Sequence, residues 1–236
     1  YKSGEEYAEK CINVYKIQNN RIGLAAAYNN IGDLYDKEKK YDKALESYQK
    51  ALIIAKEDSS ILSLAIASFN IGSVYRRQGK QKEAFSYITE ALALSRRIHD
   101  TEGIIYNYTE LGHLYFSKQD FHTALIYADS AIMGTQSYDN MQLLKDAYML
   151  KSNIFEKRGR FDSTYFYFKK STALKDSLYN EFSQKLVYSL TTNQKIHSLQ
   201  QEALTNEQIL SKQIQANQFL VIVGLILFGA LLFLFL

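Results

Sequence analysis

A 40-residue repeat is the feature that most constrains the fold of this chain. Gly32, Gly72 and Gly112 stand 40 residues apart, and each lies in the same short pattern, IGDLY, IGSVY or LGHLY. A fixed period of this length indicates stacked supersecondary units that bury their apolar faces against one another. The fold therefore follows from one unit, and any function is to be sought on the surface that the stack creates.

The same spacing extends to the aromatic and small residues around each glycine. These positions are Tyr35, Tyr75, Tyr115 and Phe155; Ala44, Ala84, Ala124 and Thr164; and Ala51, Ala91, Ala131 and Ser171. Shifted backwards by one period, residues 1–11 align with residues 41–51. We therefore expect 1–20 to be the second half of a truncated unit, so that the chain begins inside a repeat.

Each unit predicts two helices joined by a short link. Ile31, Leu34 and Tyr35 fall at the three- and four-residue spacings of one helical face. Gly32 removes a side chain where another helix must approach closely. The second helix repeats the apolar pattern, with residues Ala44, Leu45, Tyr48, Ala51, Leu52 and Ala55.

Two glycines lie where the first helix of a pair is expected to end. Gly79 and Gly159 are placed for the left-handed residue that commonly terminates a helix. Lys39 and Gln119 occupy the same place in the other two units. Glycine is therefore favoured at this position but not required.

These positions resemble those of the tetratricopeptide repeat, or TPR. The first unit carries the pattern most completely, at Tyr28, Ile31, Gly32, Tyr35, Ala44, Tyr48 and Ala51. The second unit has Ser68 and Ile88 where aromatic residues would stand, and the fourth has Lys151 and Ser152 in place of the aliphatic-glycine pair. The resemblance implies an all-α solenoid of antiparallel helix pairs, with repeats at 21–60, 61–100 and 101–140 and a degenerate repeat at 141–179.

Composition agrees with a helical chain and excludes some functions. There is no proline among the 236 residues, so nothing in the chain interrupts a helix in that way. The net charge is only +3, and the basic residues are scattered rather than gathered in a stripe, which argues against a nucleic-acid partner. The single cysteine, Cys11, has no internal partner for a disulfide.

The last 18 residues, 219–236, read FLVIVGLILFGALLFLFL and contain no polar side chain. At 1.5 Å per residue they would span about 27 Å, close to the roughly 30 Å of a hydrocarbon core. The pattern predicts a single transmembrane helix and hence a membrane as a partner. Since this helix stops short of a full span at Leu236, we expect the chain to be a fragment at both ends.

The stretch 180–218 is polar and lacks the repeat pattern, which predicts a helical stalk. Ile196, Leu199, Ala203 and Leu210 fall on a heptad-like line, although Asn206 and other polar residues interrupt it. Two interpretations stay open. The stalk could form a weak parallel coiled coil and hence a homodimer, or it could be a single helix leaning on the last repeat.

Charges beside the predicted span bear on its orientation. In the twenty or so residues before Phe219 the only basic side chain is Lys212, and Glu202 and Glu207 offset it. This is a poor cytoplasmic flank. We therefore expect a single-pass membrane protein with an extracytoplasmic, periplasmic array; the alternative is a cytoplasmic array held by a tail anchor.

No catalytic, metal-binding or cofactor-binding site is predicted. The four histidines, His99, His113, His122 and His197, are dispersed and form no pair with ligand spacing. The helical glycines are expected to be packing residues and not a phosphate-binding loop. Catalysis by these residues is therefore not expected.

Binding is expected on the concave surface that stacked helix pairs create. By resemblance to the family, the first helix of each pair lines this groove with Asn29, Asn30, Asp33, Phe69, Asn70, Ser73, Arg76, Tyr106, Thr109, His113, Phe116, Met149 and Asn153. The asparagines are suited to a peptide main chain, and Phe69, Tyr106 and Phe116 to apolar anchoring. The alternative is that the asparagines bond neighbouring helices.

The layout of array, stalk and membrane helix resembles bacterial TPR sensor proteins. Such proteins commonly carry a cytoplasmic histidine kinase, which would lie after Leu236. The resemblance implies a peptide-binding or protein-binding sensor that couples the array to this output. The alternatives are a membrane-tethered scaffold or assembly factor without an output domain, and a TPR-containing transcriptional regulator.

Overall fold

The computed structural model describes residues 2–138 and 140–234, and places the side chains of 6–135, 138, 140–215 and 217–218. Over these residues the chain is all α-helical, as predicted. The helices are α1 (Lys2–Ile17), α2 (Arg21–Lys37), α3 (Tyr41–Glu57), α4 (Ile61–Arg77), α5 (Gln81–Arg97), α6 (Thr101–Ser117), α7 (Phe121–Ser137), α8 (Met141–Lys157) and α9 (Phe161–Leu234). The chain divides into two units, Tyr1–Leu178 and Tyr179–Leu236, with the boundary inside α9.

The 40-residue period consists of two helices of equal length. Each helix from α2 to α8 has 17 residues, and three residues separate it from the next. In every link whose middle residue is described, including the one before α2, that residue adopts a left-handed backbone, with positive φ at Asn19, Lys39, Ser59, Gly79, His99, Gln119 and Gly159. This conformation ends the helix. The φ angles of 60° at Lys39 and 62° at Gln119 confirm that the position does not require glycine.

A polar residue also repeats every 40 positions at the start of the first helix of each pair. Asn20, Ser60, Asp100 and Asn140 are the N-caps of α2, α4, α6 and α8, and each side chain accepts a hydrogen bond from a backbone N–H of the first turn. Such caps satisfy donors that have no partner inside the helix. A side-chain cap therefore stands at the beginning of the first helix of each pair from α2 to α8.

Small residues let the helices of the array approach closely. Ala44, Ala84 and Ala124 are fully buried. Two turns further along the same helices, Ala51, Ala91 and Ala131 are also fully buried. A Cβ atom added to Gly72 would lie 2.7 Å from Ile88 Cγ1 and 3.1 Å from the Ile88 backbone nitrogen. At Gly112 it would lie 2.6 Å from Leu150 Cδ2. These glycines are packing residues, as their position in the pattern predicts.

The core of the first unit is a series of clusters and not one central core. Each cluster joins the second helix of one pair to the first helix of the next pair, and one of them also includes Ile105 of α6. Aromatic pairs recur with the period: Tyr75 packs on Tyr87, Tyr115 on Tyr127 and Phe155 on Tyr167, with ring centroids 5.5–5.7 Å apart. This local packing is what a solenoid of stacked helix pairs requires.

The predicted location in a membrane is contradicted. Within the described part of the chain no helix combines the length and the apolar character needed to cross a bilayer. The physical reason lies in α9, where Lys195, Glu202, Glu207 and Lys212 are exposed along the predicted stalk. The predicted span itself, 219–236, falls outside the residues whose side chains are described. The extracytoplasmic placement of the array and the tail-anchored alternative depended on that span and lose their basis.

Replacing Gly72 with leucine tests the close approach of α4 and α5. The new side chain would meet both the side chain and the backbone of Ile88, so Gly72→Leu should lower the free energy of unfolding by about 1–3 kcal/mol through overpacking. Urea unfolding followed by circular dichroism measures the change. Ser86→Leu, at an exposed position of α5, is the matched control and should have little effect. Equal stability of the two variants would contradict the packing role of Gly72.

Candidate functional site

The first helices of successive pairs lie side by side and form an open groove. Its larger part, about 640 Å³, is lined by residues of α2, α4 and α6 that include Asn29, Asn30, Asp33, Leu62, Ile66, Phe69, Asn70, Glu102, Tyr106 and Asn107. An adjoining part of about 280 Å³ shares Asp33, Phe69, Asn70 and Tyr106 and adds Asp36, Ser73, Arg77, Thr109, Glu110, His113 and Asp146. We call the two parts together the groove.

The structure brings nine of the thirteen residues predicted from the sequence into this groove. They are Asn29, Asn30, Asp33, Phe69, Asn70, Ser73, Tyr106, Thr109 and His113. Arg76, Phe116, Met149 and Asn153 do not line it. Phe116 instead packs on Phe121, with ring centroids 5.8 Å apart, beside the buried cluster of α7 and α8.

An exposed apolar strip runs along the larger part of the groove. Phe69 of α4 packs against Tyr106 of α6, with ring centroids 5.6 Å apart and an angle of 53° between the rings. Leu62, Ile66 and Tyr106 are all substantially exposed to solvent. The strip therefore offers aromatic and aliphatic surface to a ligand from two neighbouring repeats.

The asparagines of the groove differ in their availability. Asn29 is buried, and its Oδ1 accepts a hydrogen bond of 3.4 Å from Asn70 Nδ2, which joins the first repeat to the second. For these two residues the alternative interpretation, bonding between neighbouring helices, describes the observed contact. Asn30 is exposed beside them. Its side chain is thus the more accessible of the three.

Two arginines bind carboxylates of neighbouring repeats. Arg76 donates from Nε and Nη2 to the Glu110 carboxylate, the second bond being 3.2 Å, and Ser73 Oγ donates to the same carboxylate over 3.1 Å. Arg77 donates from Nε to Asp36 Oδ1 over 3.1 Å. Arg76 thus joins α4 to α6 in an internal ion pair. This explains why it does not contribute a cation to the groove.

Burial changes the proton affinity of several groups along the groove. It raises the pKa of the Asp36 carboxyl, against the opposing charge of Arg77. Burial, and then the positive charge of Arg76, lower the pKa of His113. Burial and a 2.6 Å hydrogen bond from its hydroxyl to Asp33 Oδ1 raise the pKa of Tyr48. Tyr48 is therefore held as a neutral donor to Asp33.

Asn107 is a groove residue that the sequence pattern did not single out. Its side chain is 1% exposed, and Nδ2 donates to the Gly103 carbonyl over 2.7 Å. Its Oδ1 is buried and has no hydrogen-bond partner among the described residues. The sequence does contain a feature that could have identified Asn107, because the equivalent positions in the other pairs are alanines, Ala27, Ala67 and Ala147.

Metal-ligating side chains do not cluster in the described part of the chain. No group of three or more His, Cys, Asp or Glu side chains there is placed to hold a metal ion. Cys11 is a free, half-buried thiol of α1.

The repeats match a known family. Two models of the tetratricopeptide repeat match residues 25–58 and 63–132. The chain therefore contains tetratricopeptide repeats, as the pattern around Gly32, Gly72 and Gly112 predicts. This result, together with the described helices, confirms the TPR-like solenoid. No curated protein matches the chain.

Several solved structures share this fold. BtubC (BKLC) from P. vanneervenii has a TM-score of 0.57 and 22% identity, with 67% of this chain and 66% of that one covered. Aspartyl phosphate phosphatase F from Bacillus subtilis has a TM-score of 0.57 and 16% identity, with 72% of this chain and 54% of that one covered. The Rap conjugation gene regulator of the plasmid pLS20, in complex with the Phr* peptide, has a TM-score of 0.59 and 17% identity, with 71% of this chain and 52% of that one covered. The chain thus spans about half to two thirds of these proteins, and the likeness shows the fold.

Removing Arg76 should destabilise the array by leaving the Glu110 charge without its partner. We expect Arg76→Met to lower the free energy of unfolding by about 2 kcal/mol, less than the roughly 3–5 kcal/mol for a fully buried pair. The smaller figure reflects side chains that are 23% and 13% exposed. Glu110→Gln added to Arg76→Met should recover much of the loss, as measured by urea unfolding. Lys50→Met, which removes the exposed partner of Glu46, is the control and should change stability little. An Arg76→Met protein as stable as Lys50→Met would contradict this role.

The lowered pKa of His113 makes a pH-dependent contribution to stability. Since the pKa is below its ordinary value of 6.5 in the folded state, the unfolded chain binds the proton more readily. The folded state should therefore lose stability as the pH falls below about 6.5. His113→Gln should reduce this loss in thermal unfolding between pH 7 and 5. His122→Gln, at an exposed position, is the control and should follow the wild type. Identical profiles for all three proteins would exclude the effect.

Proposed function

We propose that the chain is a binding scaffold that holds an extended peptide, or an extended segment of a protein, in the groove. The observation that carries the proposal is the aromatic strip of half-buried Phe69 and exposed Tyr106, flanked by amide and carboxylate side chains from three successive first helices. Tetratricopeptide repeats fit a protein-binding scaffold. The fold that the chain shares with the pLS20 regulator, solved with a peptide, is compatible with this role.

The dimensions of the groove favour an extended ligand. Packed helices lie about 8–10 Å apart, so the line from α2 across α4 to α6 covers roughly 20 Å. An extended chain advances about 3.3–3.6 Å per residue, which corresponds to roughly six residues. Alternate side chains of such a segment could lie on the aromatic strip while its main chain meets Asn30 and Asn70.

The finer expectations stay predictions from the sequence layout. They are coupling of the array to a histidine kinase, the scaffold and transcriptional-regulator alternatives, and a homodimer through 180–218. The sensor, scaffold and regulator alternatives would use the same groove, the homodimer would use 180–218, and no contact among the described residues distinguishes them. The proposal therefore concerns the binding step alone.

A groove variant tests the proposal. The full chain should select binders from a phage-displayed library of random nonapeptides, and Phe69→Ala combined with Tyr106→Ala should weaken the selected peptides at least about tenfold, because both aromatic anchors are removed. Fluorescence polarisation measures the affinity, and circular dichroism checks that helicity is intact.

The matched control removes two aromatic side chains outside the groove. Phe161 and Tyr165 of α9 are 74% and 67% exposed, so Phe161→Ala combined with Tyr165→Ala should bind the same peptides as the wild type. If the groove variant binds them equally well, the groove is not the binding site.

A further inference from the structure

We propose that the groove selects a basic peptide, with an arginine side chain lying on the Phe69–Tyr106 strip and its positive charge favoured by the unpaired carboxylates of Asp33 and Glu102 on either side. This inference rests on the proposed peptide-binding function and names the chemical class of the ligand. Three features of the larger part of the groove carry it: carboxylates without cationic partners, a buried acceptor without a donor, and an exposed aromatic surface.

Carboxylates give the larger part of the groove a negative character. Asp33, Asp100 and Glu102 line it, whereas no Lys, Arg or His is among the described residues that do so. Their hydrogen-bond donors are neutral: Tyr48 donates to Asp33, the Gly103 backbone to Asp100, and Tyr138 and the Asn140 amide to Glu102. The formal charge of this part is thus not balanced by the protein, so it favours a cationic ligand.

The carboxylates of the adjoining part provide a contrast. Asp36 and Glu110 are bound by Arg77 and Arg76, which join neighbouring repeats. Asp36 and Glu110 are thus each matched by an arginine, while Asp33 and Glu102 have no cationic partner among the described residues. A role in joining neighbouring repeats therefore does not explain why Asp33 and Glu102 are carboxylates.

Asn107 points to a donor-rich ligand independently of charge. Asn107 lines the same part of the groove, and its buried Oδ1 has no partner in the described structure. Buried polar atoms in proteins are nearly always hydrogen-bonded, so an acceptor left open here is unusual. Together with three carboxylates it makes the polar lining rich in acceptors, which suits a ligand with several N–H groups.

Arginine fits this combination better than lysine or a metal ion. A guanidinium group carries five N–H donors in a plane and stacks on aromatic rings, as the Phe69–Tyr106 strip allows. Its aliphatic stem can lie against Leu62 and Ile66, which are exposed on the same surface. The carboxylates are not gathered in a metal-ligand group among the described residues.

The test compares arginine with its neutral analogue citrulline. Nonapeptides selected by the full chain from the random phage library should be enriched in arginine, and replacing that arginine with citrulline should weaken binding at least about tenfold. Binding of the arginine peptide, measured by fluorescence polarisation, should also weaken as sodium chloride is raised from 50 to 500 mM.

A variant of the two carboxylates assigns the effect to the groove. Asp33→Asn with Glu102→Gln keeps an acceptor for Tyr48 and Tyr138 but removes both charges, so it should bind the arginine and citrulline peptides with equal affinity. Glu83→Gln with Glu90→Gln, at exposed positions of α5, is the matched control and should discriminate as the wild type does.

The outcomes separate this inference from the function on which it rests. Selection of neutral or acidic peptides, or equal binding of arginine and citrulline peptides by the wild type, would overturn the basic ligand and leave the groove as a peptide site. Selected peptides that bind the Phe69→Ala/Tyr106→Ala variant as well as the wild type would overturn the groove itself. Loss of discrimination only in the Asp33/Glu102 variant supports the proposal.

Discussion

The close packing of equal helices at small residues is the constraint on which the rest of the structure depends. Fully buried alanines such as Ala44, Ala84 and Ala124 hold the two helices of a pair together, and left-handed residues in three-residue links turn the chain back. Each helix of 17 residues is about 26 Å long. Because the helices from α2 to α8 have the same length and are joined by links of the same length, equivalent side chains come to lie in rows across successive pairs.

These rows explain how a repeat with one fold can carry varied surface chemistry. One row of the first helices contains Asp33, Ser73 and His113, and the next contains Asn30, Asn70 and Glu110. Packing favours small and apolar residues at the buried positions, while the row that faces the groove is free to change from pair to pair. Contacts such as Arg76–Glu110 then join side chains of adjacent repeats. The groove is thus both a surface and part of what holds the stack together.

Much of this arrangement follows from the sequence, and the remainder does not for identifiable reasons. Periodicity places the helices and assigns Phe69 and Tyr106 to the same groove, but it does not predict their contact, because the residue equivalent to Phe69 is Thr109. The pairing of Arg76 with Glu110 joins residues 34 apart, and that of Arg77 with Asp36 joins residues 41 apart. Such pairs depend on side-chain reach between helices and not on the period. Met149 and Asn153 were predicted by equivalence, but they do not line the described groove.

Departures from the repeat are informative because the register makes them visible. Asn107 stands where three other pairs have alanine, so packing alone does not explain a polar side chain there. The carboxylates can be divided by the same reasoning. Asp36 and Glu110 receive arginines from neighbouring helices, and their charge contributes to the cohesion of the stack. Asp33 and Glu102 receive only neutral donors, from the hydroxyls of Tyr48 and Tyr138 and the amide of Asn140, which orient them and leave their charge unbalanced. An acidic residue that is oriented but not neutralised is better suited to a ligand than to the fold, and the aromatic strip lies beside these two.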